Sequence, residues 1–121
     1  MNINIKTTNL EHTDAINSYV EKKLDAFNKI IDMNSNQVFV YVELEKTRPD
    51  VTNADDLYRA EITIDSAGEV SFADAATHDL YAAIDLVKDE LFRKMKRDRN
   101  KKRDILRRSM GKLKRMLRFS K

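Results

Sequence analysis

Hydrophobic and polar positions along this chain follow two periods in turn. Ile3 and Ile5 alternate with Asn2, Asn4 and Lys6 until Thr7, Thr8 and Asn9, a period of two that predicts a short opening strand. Thr13 can cap a helix with Asp14 in its first turn, and Ile16, Val20, Leu24, Phe27 and Ile31 then recur at steps of three and four. That spacing predicts a core-facing helix, ended by the loop Asn34, Ser35, Asn36. Val38, Val40, Val42 and Leu44 alternate with Phe39, Tyr41, Glu43 and Glu45, which reads as a long strand with one fully apolar face. Residues 47–56 hold the only proline, Pro49, among Asn and Asp, and are expected to form a loop. Tyr58, Ala60, Ile62 and Ile64 give a third strand. After the tight turn Ser66, Ala67, Gly68, residues Val70 and Phe72 restart a fourth, so the two form a hairpin. Residues 73–76 fit no clear period.

The second helical pattern changes character midway. Leu80, Ile84, Val87, Leu91 and Met95 lie at steps of three and four and form one stripe that needs a partner surface. Arg93, Arg97 and Lys101 follow at steps of four on a neighbouring line, so a helix anchored by its first turns holds a basic row in solvent. Residues 98–104 contain no apolar side chain; helix there is unsupported. Ile105, Leu106, Met110, Leu113 and Leu117 then restore a stripe, flanked by Arg107, Arg108, Lys112, Lys114, Arg115 and Arg118. Gly111 costs this tail about 1 kcal/mol against alanine, so the tail is expected to be frayed alone and ordered by a partner. The order β-α-β-β-β-α predicts an α+β fold: a four-stranded sheet with two helices on one face. Its first two strands should be parallel through a right-handed crossover and the rest antiparallel. The expected division is a compact domain over residues 1–103 and a basic amphipathic extension over residues 104–121.

Charge sharpens the functional reading. Residues 88–121 carry 16 Lys and Arg against 4 Asp and Glu, net +12, whereas residues 1–87 carry 7 against 16, net −9. A charge row is ordinarily just a solvated helix face, but a solvated surface mixes its signs. Segregation on this scale points to a polyanion, nucleic acid first and an anionic membrane second. The absence of cysteine removes disulfides and thiolate ligands and suits a reducing cytoplasm. No cationic leader with an apolar run and no 18-residue apolar stretch is present, so neither export nor a membrane span is expected. Two glycines leave no phosphate loop, no serine sits in a nucleophile elbow, and His12 and His78 read as capping or surface residues. The chain is therefore expected to be no enzyme and to use no cofactor, metal or small-molecule substrate.

With these residues in place, the chain resembles the ribosome hibernation-promoting factors, the bacterial ribosome-associated translation inhibitors. The resemblance covers about residues 1–103. Its most specific part is Asp79-Leu80-Tyr81-Ala82-Ala83-Ile84-Asp85 followed by Leu91 and Arg93. Leu10-Glu11 with Thr13, Tyr19-Val20, Lys23-Leu24, the Val38 to Leu44 alternation and Glu45-Lys46 support it. It implies a double-stranded-RNA-binding-like fold that occupies the mRNA and tRNA channel of the small ribosomal subunit, so that idle ribosomes do not translate. Carried over residue by residue, the rRNA contacts fall on Lys23, Lys46, Arg93, Arg97 and Lys101. The chain departs from the family pattern at Ala26 and Glu90, where lysines are common, and Lys94, Lys96 and Arg99 are expected to substitute. The tail departs from the pattern too, being neither the second, dimerising domain of the long forms nor the acidic tail of some short ones, so the chain looks like a short form with a basic end. The protein is expected to be cytoplasmic, monomeric when free, and bound to rRNA, with Leu106, Met110, Leu113 and Leu117 buried against a ribosomal protein. The competing reading is a peripheral membrane protein that lays residues 105–119 on anionic lipid.

Overall fold

A computed structural model describes residues 1–47 and 57–119. Apart from Thr47, the loop expected over residues 47–56 lies outside the described residues. The elements are β1 (Asn2–Thr8), α1 (Asp14–Leu24), β2 (Val38–Lys46), β3 (Tyr58–Ser66), β4 (Glu69–Thr77) and α2 (Leu80–Phe119), with a 3-10 helix over Asp25–Lys29 prolonging α1. The sheet order is β1-β2-β3-β4. β1 runs parallel to β2, with Ile3 opposite Val40 and Ile5 opposite Val42; β3 and β4 continue antiparallel. This is the predicted α+β order.

Period-two alternation decides which face each strand buries. Val38, Val40, Val42 and Leu44 of β2 and Ala60, Ile62 and Ile64 of β3 are buried under the two helices. From above, Ile16, Val20, Leu24 and Phe27 meet Leu80, Ala83, Ile84, Val87 and Leu91 in a single core. Each large aliphatic side chain buried in this way contributes about 1.5–3 kcal/mol. Residues 73–76, which fit no period, belong to β4, where Ala73 and Ala75 pack against the core from beneath α2. The β3–β4 turn places Ala67 at φ 51° and Gly68 at φ 88°. Two consecutive left-handed residues match the right-handed twist of a two-residue hairpin, and Gly68 N donates to Asp65 Oδ1 at 2.9 Å.

Both helices are capped by side chains. Thr13 Oγ1 accepts from Ile16 N at 3.2 Å, and Asp79 Oδ2 accepts from Ala82 N at 3.1 Å, which satisfies free amides of the first turns. α1 stops at Leu24, sooner than its stripe suggested, and tightens into the 3-10 turn; this turns the chain so that Met33 becomes fully buried. Asn28 Oδ1 secures that reversal by accepting from Met33 N at 3.1 Å.

The larger departure is the tail. The sequence led us to expect fraying after Arg103, but α2 is continuous over 40 residues to Phe119, about 60 Å at 1.5 Å per residue. Leucine, methionine, lysine and arginine are all good helix formers, no proline interrupts them, and the single glycine costs too little to break the run. No apolar burial supports this stretch, since from residue 96 to residue 117 every side chain is exposed, but it is not unsupported as expected: Arg99 bonds the carbonyl of Lys29 and Lys102 pairs with Glu69.

Candidate nucleic-acid interface

α2 lies over the sheet by its stripe from Leu80 to Leu91, with Met95 packed at the edge of the core. At about 100° per residue, Arg93, Lys96 and Arg97 then point away from the sheet, and Lys101 stands on the flank. All four are exposed. Among the described residues they form no ion pair and no side-chain hydrogen bond, so their charges are available to a ligand.

The other candidate residues are engaged within the chain. Lys94 Nζ donates to the backbone oxygen of Phe72 at 3.2 Å and lies 5.6 Å from that ring's centre, so it covers a carbonyl on the free edge of β4. Arg99 Nη1 donates to Lys29 O at 3.3 Å and ties α2 to the end of the 3-10 helix. Lys102 pairs with Glu69 at the β3–β4 turn; sequence spacing alone did not single it out. Lys46 is exposed at the end of β2, 5.9 Å from the Tyr58 ring. Tyr58 is opposite Thr77, just before α2 begins, so Lys46 stands at the opposite end of the sheet from Arg97 and Lys101. The structure does not bring it to the row.

Lys23 is held most firmly. Its Nζ is 3.0 Å from Asp85 Oδ1 and 5.3 Å from the centre of the Tyr19 ring. The Tyr19 hydroxyl donates to the same carboxylate oxygen at 2.6 Å, and its ring meets Tyr81 edge-on with centroids 4.8 Å apart. This network clips α1 to the second turn of α2, about 12 Å along the axis from Arg93. The hydrogen bond to Asp85 raises the Lys23 ammonium above its ordinary value, and the Tyr19 phenol rises for the same reason. Partial burial pushes the Asp85 carboxyl up, but the bonds from Tyr19 and Lys23 outweigh it and leave the group below the usual carboxylate range.

A depressed folded-state pKa contributes stability that is present above the unfolded value and lost as pH falls through the folded one. Asp85→Asn is therefore expected to lower the thermal midpoint at neutral pH, and the deficit should close as both proteins are acidified below about pH 4. A deficit that persists unchanged in acid would show that the carboxylate charge contributes nothing. Because Asp85 occupies Lys23, the same variant frees that ammonium beside the basic row.

Charge, exposure and the lack of internal partners thus single out one outward face of α2. Among the described residues no group of His, Asp and Glu could hold a metal ion, and no helix is long and apolar enough to cross a membrane. The sequence profile described as sigma 54 modulation protein / S30EA ribosomal protein matches residues 3–103. A ribosome hibernation promoting factor of Azotobacter vinelandii is 33% identical over 102 residues, covering 84% of this chain and 85% of that protein. A ribosome hibernation promotion factor of a Picosynechococcus strain is 30% identical over 101 residues, covering 84% of this chain; the match spans 50% of that longer relative. Among solved structures, the N-terminal domain of Thermus thermophilus Protein Y superposes with a TM-score of 0.63 at 37% identity, over 80% of this chain and 98% of that one.

Proposed function

The chain belongs to the sigma 54 modulation protein / S30EA ribosomal protein family, and from that membership we propose that it is a ribosome hibernation factor acting by occupancy. Docked on the small subunit where mRNA and tRNA would lie, it keeps idle ribosomes from translating and needs no catalytic step. The observation that carries this reading is the outward group Arg93, Lys96 and Arg97 with Lys101 on the flank, exposed cations without internal partners among the described residues, on a helix whose other side is locked to a core. A rigid row of this kind meets a phosphate backbone without first breaking ion pairs. Lys46 adds a separate contact at the far end of the sheet, and Lys23 contributes once it exchanges Asp85 for phosphate. Lys94 and Arg99 act chiefly as positioning residues, because each already bonds a carbonyl of its own chain.

The relatives' names supply the ribosome, and the charge geometry supplies the manner of binding. Co-sedimentation of the protein with small subunits through sucrose gradients tests both. If about six phosphates are contacted, log affinity should fall linearly with log salt at a slope of roughly −4 to −5. Affinity indifferent to salt would remove the proposal. A chain ending at Arg103 should fold as before and bind more weakly with a shallower slope, since residues 104–121 carry 7 Lys and Arg against one Asp. The membrane reading requires instead that this shorter chain keep full ribosome affinity and lose only binding to anionic vesicles.

A further inference from the structure

Two surfaces of this molecule remain uncovered, and they match one another. The first is the sheet face turned away from the helices, where Phe39 and Tyr41 of β2 and Val70 and Phe72 of β4 are 43–62% exposed. They stand in adjoining cross-strand rows: Tyr41 is opposite Thr63, which is opposite Phe72, and Phe39 is opposite Asp65, which is opposite Val70. Exposed aromatics on a sheet could stack nucleobases, but here acidic groups surround them. Glu43, Glu61, Asp65 and Asp74 share the face; of the cations near it, Arg59 is already bound to Glu61 at 3.0 Å and Asp74 at 2.9 Å, Lys94 reaches the Phe72 ring from the edge and bonds that residue's carbonyl, and Lys6 lies on β1 opposite Glu43. Such a face repels phosphate and favours an apolar, cationic partner.

The second surface is the tail of α2. The helix passes the end of its own sheet where Lys102 pairs with Glu69, and from there Ile105, Leu106, Met110, Leu113, Met116 and Leu117 are each more than half exposed. At about 100° per residue their arc is centred within about 60° of the mean direction of the buried stripe, and closer still to Met95 and Lys102. The apolar side of α2 therefore continues past its own sheet on the side where a second sheet would lie.

We propose that the tail helix of one molecule packs on the open, acidic and aromatic sheet face of a second copy, reciprocally, in a twofold dimer. Turn one copy over about an axis in the plane of the sheet, beyond the β3–β4 turn, and the two sheets meet end to end with opposite faces up. Each tail then crosses the other's open face as a second layer, at a spacing of about 10 Å like that of packed sheets. The dimensions agree. Residues 104–119 span about 24 Å as helix, and a nine-residue strand spans about 30 Å. A tail cannot reach its own open face, because the continuous helix carries it away from the domain. Tail-on-tail pairing would set two segments of net +6 side by side, whereas on the sheet face basic flanks such as Lys112 meet carboxylates. Arg93, Lys96 and Arg97 stay outward in this arrangement. The dimer goes beyond the ribosome reading and does not rest on it; it replaces both the free monomer and the ribosomal-protein partner that the sequence led us to expect for the tail.

Sedimentation velocity of the full chain from low micromolar to submillimolar concentration tests the dimer. Tyr41→Lys with Val70→Lys alters only the sheet face, and Met110→Glu with Leu113→Glu alters only the tail. Both change exposed positions, and unchanged circular dichroism verifies their folding. Each pair should raise the dimer dissociation constant at least tenfold. A parent that stays monomeric throughout, or either variant dimerising like the parent, overturns the proposal. The chain has no native cysteine, so Tyr41→Cys chains mixed with Leu113→Cys chains and treated with a flexible bis-maleimide report which surfaces meet. An excess of the mixed crosslink over both homodimers is expected; an excess of either homodimer refutes tail-to-sheet docking.

Discussion

Arg93→Glu combined with Arg97→Glu should abolish ribosome binding and inhibition of in vitro translation while leaving the fold almost unchanged. Both guanidinium groups are exposed on α2 and, among the described residues, have no ion-pair partner, so neither removal exposes a buried group. Surface changes of this kind usually fall within about 0.5 kcal/mol. Glutamate is as good a helix former as arginine, and the new carboxylate placed four residues after Asp89 costs only a few tenths of a kcal/mol. Binding responds differently. A charge-assisted contact is worth roughly 1.5–3 kcal/mol, so losing two costs about a hundredfold or more in affinity. Two fewer phosphate contacts should also flatten the salt slope by roughly 1.4–1.8, which gives a second reading from the same titration. Unfolding of the double variant would make the row structural, and undiminished binding would move the interface elsewhere.

The elements were legible because their periods are local. β2 could be read from Val38, Val40, Val42 and Leu44 because every second residue of a half-buried strand must be apolar, and α2 from Leu80 to Met95 by the same reasoning at 3.6 residues. Where burial depends on small side chains the signal faded. Residues 73–76 are mostly alanines and aspartate, which pack beneath α2 only because β3 places them there. Met33 was missed because it follows a 3-10 turn and belongs to no periodic run, although it is among the largest fully buried side chains.

The site was half legible for a related reason. Spacing on one helix is enough to place Arg93, Lys96 and Arg97 on its outward side and Lys101 on its flank. It cannot reveal that Tyr19, one turn before Lys23, meets Asp85 across 66 residues of sequence, or that Arg99 bonds a carbonyl 70 residues away. Those are consequences of the packed fold, and they divide equally basic residues into charges that are available and charges already held. The tail shows a different limit. Its amphipathic pattern was plain, but only the structure shows that its apolar arc continues the core-facing side of the same helix.

Leu91→Ala should have the opposite profile to the charge reversal, because this residue makes the row possible without touching a ligand. Leu91 is fully buried, one turn beyond Val87 and one turn before Met95, and is the last wholly enclosed anchor before α2 leaves the core. Truncating it removes the burial of three carbons and leaves a cavity that a helix fixed on both sides can only partly close, a loss of about 2–5 kcal/mol. Against a total stability of roughly 5–15 kcal/mol that is a large fraction. For a domain of this size the thermal midpoint should fall by about 8–20 °C. Leu91→Met, which keeps most of the volume, should cost under about 1.5 kcal/mol. Ribosome binding by Leu91→Ala should weaken as temperature approaches its lowered midpoint and recover on cooling, whereas the charge-reversed protein should fail to bind at every temperature. A midpoint shifted by no more than a degree or two would mean that α2 is not seated on the sheet through Leu91, and the platform holding Arg93 and Arg97 outward would have to be sought elsewhere.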